Sequence, residues 1–264
     1  MTVADALRRF LENAGIIFRA LYVWFQVQTY LASKVVMPLE QLLFFSLLAV
    51  SAGGAGRIPY MVVGNTVALV GLGGIWASST VGDDRAQGTL ALLLASPANR
   101  MLNFLQRGLL HVGDGLLTVV IAMVFAVAVF RLDLSRCDWP ALVASVLVAA
   151  VSSVALGLLL GALTLGFVET FVIANVLYLG LLVVAGVNFP PQLLPGWLQP
   201  VSLVVPFTRS VAGARSAIAG ASLVAIGPRL LEELLVAFVY VLAGYVLLRY
   251  IEQRALRQGT LELV

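Results

Sequence analysis

The stretch ALVASVLVAAVSSVALGLLLGALTLG, residues 141–166, holds no Asp, Glu, Lys or Arg. A helix of that length rises ~39 Å, enough to cross the ~30 Å hydrocarbon layer of a bilayer with some tilt. The whole chain is written in the same alphabet. Of its 264 residues 61% are hydrophobic and 11% charged, against roughly 25% charged in soluble domains. Mean hydropathy is +1.03. So few charges cannot cover the surface of a water-soluble fold of this size. The composition predicts an all-α membrane protein, because a helix satisfies its own backbone hydrogen bonds in lipid.

Outward from 141–166, apolar stretches of similar length occupy 31–52, 60–80, 109–130, 171–188 and 230–250. Each is near the ~20 residues a spanning helix needs. This predicts six spans in a single membrane domain over 1–264, and an even number places both termini on one side. Residues 3–28 read differently. Val3, Leu7, Phe10, Leu11, Ala14, Ile17, Phe18 and Leu21 recur at helical spacing, while Asp5–Arg9 and Arg8–Glu12 pair at i,i+4 on the other face. They predict an amphipathic helix along the membrane surface, with Tyr22, Trp24 and Tyr30 at headgroup level. Its charges exclude a signal peptide.

Arginines choose the side. Arg8, Arg9, Arg19, Arg85, Arg100, Arg107, Arg249, Arg254 and Arg257 fall with the termini; Arg57, Arg131, Arg136, Arg209, Arg215 and Arg229 fall opposite. The excess predicts cytoplasmic termini, the tail 251–264 included. Glu232 and Glu233 follow Gly227-Pro228 and are expected at the outer, positive end of the last span's own dipole.

Two segments are neither spans nor simple loops. Residues 82–97, GDDRAQGTLALLLASP, are charged at the front, then apolar and helix-prone, and are stopped by Pro97. About eight apolar residues cannot span, so a helix over 84–97, between spans two and three, needs a docking partner. Residues 189–228 hold Pro190, Pro191, Pro195, Pro200, Pro206 and Pro228, six of the ten prolines. The segment is too apolar for a linker and too broken for one helix. Short helices re-entering from the outer side are expected, with their backbone buried in protein.

Other functions are excluded by what is missing. One cysteine, Cys137, and one histidine, His111, leave no intrachain disulfide and none of the usual zinc sites. The single lysine, Lys34, follows Ser33 rather than a glycine-rich loop, so the chain carries no phosphate-binding P-loop. No catalytic residue, metal site or bound cofactor is expected. No basic run suits nucleic acid.

The two unusual segments resemble those of permease subunits of ABC-2 type (type V-like) exporters. That family's cytoplasmic loop reads approximately Arg-Glu-x-Gly-Thr-Leu-Glu-x-Leu-Leu-x-x-Pro, and Arg85, Gly88, Thr89, Leu90, Leu93, Leu94 and Pro97 match it. Ala86 and Ala91 stand where the family usually has glutamates, which leaves docking to the leucines and implies a dedicated ATPase. The outer segment, roughly Phe-Pro-x-x-x-Leu-Pro-x-Trp-Leu-Gln, is matched by Phe189, Pro190, Leu194, Pro195, Trp197, Leu198 and Gln199, and its continuation by Pro206, Phe207, Thr208, Arg209 and Arg215. The resemblance implies a separate cytoplasmic ABC ATPase that holds ATP and Mg, and a second permease copy or a similar chain. It also implies a coupling helix at 84–97 and an outer gate at Pro190, Pro195, Trp197 and Pro206. A hydrophobic or amphiphilic cargo (a drug, natural product or lipid-like molecule) would leave through a bacterial plasma (inner) membrane, as in multidrug efflux.

Several polar residues have two readings. Asn65 in span two, with Asn175 and Tyr178 in span five and Asn188 at its end, either line the cargo path, as the resemblance implies, or bond helix to helix. Glu40 lies deep in span one and needs a partner in another span or a water-filled cavity. Lys34 is expected to snorkel to the inner surface and His111 to pair with Asp114 at i,i+3. Ser153, Gly157 and Gly161 form a small-residue row that packs within the subunit or against a second copy. Two alternatives remain: a polysaccharide-type exporter permease, and an ion-coupled secondary transporter with Glu40, Asp114 and Glu169 as its relay.

Overall fold

The computed structural model describes residues 27–76, 78, 100–163 and 170–258. Among them every regular element is helical. These are α1 (Val27–Gly53), α2 (Ile58–Trp76), α3 (Arg100–Ala128), α4 (Trp139–Leu163), α5 (Thr170–Val184), α6 (Gln199–Val204), α7 (Thr208–Ile218) and α8 (Leu223–Gln258), with 3-10 turns at Ala55–Arg57 and Pro191–Leu193. Among the described residues five helices are long and apolar enough to cross a membrane: Gln28–Ser51, Ala55–Ile75, Leu110–Ala128, Trp139–Leu163 and Leu223–Ile251.

α2 is the axis of the bundle. It packs against α1, α3, α4, α5 and α7, and 83% of its span is buried, against 11% for α8. Its sequence explains the position. Inside a bilayer, helices gain nothing from leaving lipid, so they associate where small residues let backbones approach and dispersion contacts accumulate. A Cβ added to Gly157 of α4 would lie 2.1 Å from the Gly74 carbonyl oxygen, and one added to Gly74 would lie 2.3 Å from Ser153 Oγ. The Ser153–Gly157 row therefore seats α4 on α2, the reading within the subunit. Gly71 of α2 receives the ring of Phe207 in the same way.

The chain corners meet at one end. Asp138 N donates to Ala217 O at 3.0 Å, tying the 129–138 loop to α7, and Asp138 Oδ1 accepts Ala141 N at 2.9 Å as the N-cap of α4. Residues 185–222 fold back over this end as a hairpin of short helices, as expected of the proline-rich segment. At the opposite end α2 and α3, packed on one another, are joined by residues 77–99.

Several expectations change. In the predicted fifth span, 171–188, the described helix Thr170–Val184 stops short of residue 188. The chain turns after Val184 through Gly186 at φ +72, a left-handed conformation glycine adopts without strain. The last helix does not start at 230. It begins at Leu223 and runs through Pro228, which costs little near a helix start because few intrahelical bonds precede it. Ser222 O accepts the Ala225 and Ile226 amides there. The re-entrant segment accordingly ends at 222 rather than 228, and the tail from 251 continues as helix to Gln258. Glu232 and Glu233 lie well inside α8, not in its first turn. The surface helix over 3–28, apart from its last two residues, and the coupling segment 84–97 lie outside the described residues.

Gly157→Ala should cost about 1–3 kcal/mol of stability through overpacking, read as a lower unfolding temperature in detergent. Gly113→Ala, where an added Cβ meets nothing within 4 Å, should leave that temperature unchanged or slightly raised.

Candidate functional site

Three polar clusters interrupt the apolar bundle. The first is a seam across its middle. Gln41 of α1 donates through Nε2 to Asn65 Oδ1 and to the Tyr178 hydroxyl, both at 3.0 Å. Asn65 Nδ2 donates to Asn188 Oδ1 at 2.7 Å and to Met61 O at 2.9 Å. Asn188 Nδ2 and its backbone N both reach Leu182 O, closing the C-terminus of α5. Asn65, Tyr178 and Asn188 are all buried. Amides in hydrocarbon must find partners, and here they find one another across α1, α2 and α5.

Of the five residues expected on a cargo path, the structure thus joins three. Asn175 stands one turn before Tyr178 on α5, half-buried. Glu40 points away, exposed on α1. Gln41 was missed by the sequence reading. Its signal was present, since Glu40-Gln41 is a polar pair in the centre of an apolar span.

The second cluster clamps the hairpin end. Arg215 of α7 donates through Nε and Nη2 to Tyr60 O at 3.2 and 3.0 Å, through Nη1 to Gly186 O at 2.9 Å, and through Nη2 to Val187 O at 2.6 Å. Its guanidinium carbon lies 3.4 Å from the centroid of the Tyr60 ring, and Tyr60 donates its own hydroxyl to Gly186 O at 3.1 Å. Burial pulls the guanidinium down to about 10, so it keeps its charge at neutral pH. The positive head faces carbonyls just past the C-terminus of α5, the negative end of that helix's dipole. Gly64 makes room, because a Cβ there would sit 2.3 Å from Val187 O.

On the other side of the hairpin, Glu233 of α8, 0% exposed, accepts the backbone amides of Phe207 and, at 3.0 Å, of Arg209. These are among the first amides of α7, which have no carbonyl to donate to within their own helix. The sequence reading set Glu233 against a positive helix end correctly in kind; the helix is α7 rather than its own. Phe207, at φ 56, brings its amide into line for this contact. Glu232 meanwhile pairs with Arg209 at 2.8 Å. The four gate residues differ in exposure. Pro206 is buried beside Phe207, while Pro195 is exposed and Trp197 is 74% exposed.

The third cluster joins α1 to α3. Lys34 does not snorkel: it pairs with Asp114 and donates to Thr118 Oγ1 at 2.9 Å. Tyr30 donates its hydroxyl to the same carboxylate. Asp114 therefore engages α1 across the helix interface. Among the described residues no group of His, Cys, Asp and Glu has the composition of a metal site.

The model of the ABC-2 type transporter family matches residues 15–219, more than three quarters of the chain. The chain belongs to that family. A search of curated proteins found no match. The family match takes in α1 to α7, so both the seam and the Arg215 clamp are parts of an ABC-2 type membrane domain. The chain is an integral membrane permease of that class. Its seven coupling-loop residues, from Arg85 to Pro97, fall within the match but outside the described residues.

Arg215→Lys should destabilise this permease. One ammonium cannot serve three carbonyls and stack on Tyr60, and each charged hydrogen bond lost is worth roughly 1.5–3 kcal/mol. The check is thermal unfolding in detergent together with protease cleavage within 185–207, which should quicken relative to the unaltered chain.

Proposed function

We propose that this chain is the membrane subunit of an ATP-driven exporter, with 77–99 and both termini in the cytoplasm and the 185–222 hairpin outside. The observation that carries this reading is the family match over 15–219, because it encloses both the Arg85–Pro97 and the Phe189–Arg215 runs. A separate ABC ATPase, holding ATP and Mg, docks on the 84–97 helix. Residues 84–97 lie in sequence between α2 and α3, which pack together, so in this reading they pass motion into the bundle axis. The charge balance supports the orientation. Arg215 is taken up by carbonyls and Arg209 by Glu232, which leaves fewer free cations at the hairpin end.

A second copy, or a similar chain, completes the permease. α1 and α5 reach one another through Gln41 and Tyr178, and both present exposed apolar residues, among them Val36, Phe44, Val176 and Leu179. These faces suit a seam between two subunits and a path for hydrophobic or amphiphilic cargo, with α5 as part of a sixth crossing. Glu40 and Asn175 are the polar groups nearest that path, while Asn65, Tyr178 and Asn188 hold its wall. Pro190, Pro195, Trp197 and Pro206 form its outer rim. The secondary-transporter reading is weakened because Asp114, one step of its relay, is held by Lys34 and Tyr30.

Two measurements test this. The first is Leu90→Asp combined with Leu93→Asp. Each buried leucine contributes about 1.5–3 kcal/mol, and 1.4 kcal/mol is tenfold in affinity. The double variant should therefore lose the ATPase on affinity purification, and lose export, while still inserting in the membrane. Retention of both would remove the docking assignment. The second is labelling of Cys137 by a membrane-impermeant thiol reagent on intact cells. Burial, then the Asp138 carboxylate, push this thiol up, so the reaction is run above the ordinary thiol pKa of about 8.5. Cys137 should react without permeabilisation; reaction only in opened cells would invert the topology.

A further inference from the structure

Glu40 stands at the centre of the span Gln28–Ser51, twelve residues past one end and eleven before the other. That is roughly 17–18 Å of helix from either end. The residues on its face, Val36, Met37, Leu43, Phe44 and Leu47, are all exposed and apolar. Among the described residues Glu40 has no hydrogen bond or ion pair. A carboxylate at that depth is costly unless a cation or water meets it.

Among the described residues no cation pairs with it. Lys34, the single lysine, lies six residues away, about 600° of helix rotation, on the face that pairs with Asp114. Arg215 and Arg209 are engaged at the hairpin end. Arg57 lies past the end of α1. A second identical chain packed on this face brings another Glu40 rather than a counter-charge. Two carboxylates facing one apolar seam attract cations more strongly than one.

We propose that Glu40 is the charge-selecting residue of the cargo path, and that the cargo class is a cationic amphiphile. This rests on the exporter reading and narrows it. Apolar neighbours such as Phe44 and Met37 take the hydrophobic body of such a molecule, and Glu40 takes its positive head. The low dielectric that makes the lone carboxylate costly makes the pair strong. An anion of the same shape is repelled, and a neutral one gains only the apolar contact.

The probes are tetraphenylphosphonium and its anionic counterpart of matching shape, tetraphenylborate. Equilibrium dialysis with the full chain in nanodiscs, corrected with empty nanodiscs, reads binding directly and needs no ATPase. The unaltered chain should bind the phosphonium and discriminate against the borate. Glu40→Gln should weaken phosphonium binding at least tenfold and Glu40→Asp should largely retain it, with unfolding temperatures unchanged because the side chain is exposed. Equal phosphonium binding by Glu40→Gln, no binding by the unaltered chain, or equal affinity for both ions would overturn the proposal. ATPase co-purification, measured on the same variants, reports on the exporter reading separately. Absence of charge selection in the unaltered chain, with the ATPase still bound, sinks the cargo class alone.

Discussion

A buried arginine with no carboxylate organises the hairpin end of this protein. The folded-back segment 185–222 leaves carbonyls without helical partners at a level where water cannot be relied on, and an unsatisfied carbonyl there costs several kcal/mol. Arg215 answers for Tyr60, Gly186 and Val187 together. A side chain with fewer donors would leave one of them open. Because the three carbonyls belong to the start of α2 and the turn after α5, the same contact fixes the hairpin against the axis of the bundle. The glycine at 64 and the left-handed turn at Gly186 are the conditions that let it form.

Glu233 is the complement of that arrangement. Arg215 gathers carbonyls, two of them past the end of α5, and Glu233 gathers orphan amides, so α7 is held by opposite charges on opposite sides, one acting through its own side chain and one through α8. Neither is a salt bridge in the usual sense. Each ion is neutralised by backbone dipoles, which avoids pairing two full charges at the expense of leaving peptide groups bare. The seam of Gln41, Asn65, Tyr178 and Asn188 follows the same logic with neutral groups. The ion pair of Lys34 with Asp114 is the conventional case, and it sits towards the other end.

Much of this was legible in the sequence. Apolar length alone located α1, α2, α3 and α4, and clustered prolines located the hairpin. Asn65, Tyr178 and Asn188 stood out as polar groups in apolar helices, and they do meet. What could not be read is pairing over long separations. Nothing local to Arg215 says that its partners are at 60 and 186, and nothing local to Glu233 says that it serves residues 207 and 209. Helix length failed where a tertiary contact decided it. Residues 171–188 are apolar enough throughout, yet the chain leaves the helix after Val184 because the Arg215 clamp and Asn188 hold it in a turn. Pro228 misled for the opposite reason, being close enough to the start of α8 to be absorbed.

The Glu233 cap also sets an order of events during synthesis. α7 is complete once residue 218 has emerged, but its first amides gain their acceptor only when α8 has been made and threaded as far as residue 233. Until then the hairpin carries Phe207 and Arg209 amides that only water can satisfy, which keeps it from settling at its final depth. The last helix, barely buried itself, therefore supplies the acceptor that the hairpin needs, and that end of the permease is complete only once α8 has been made.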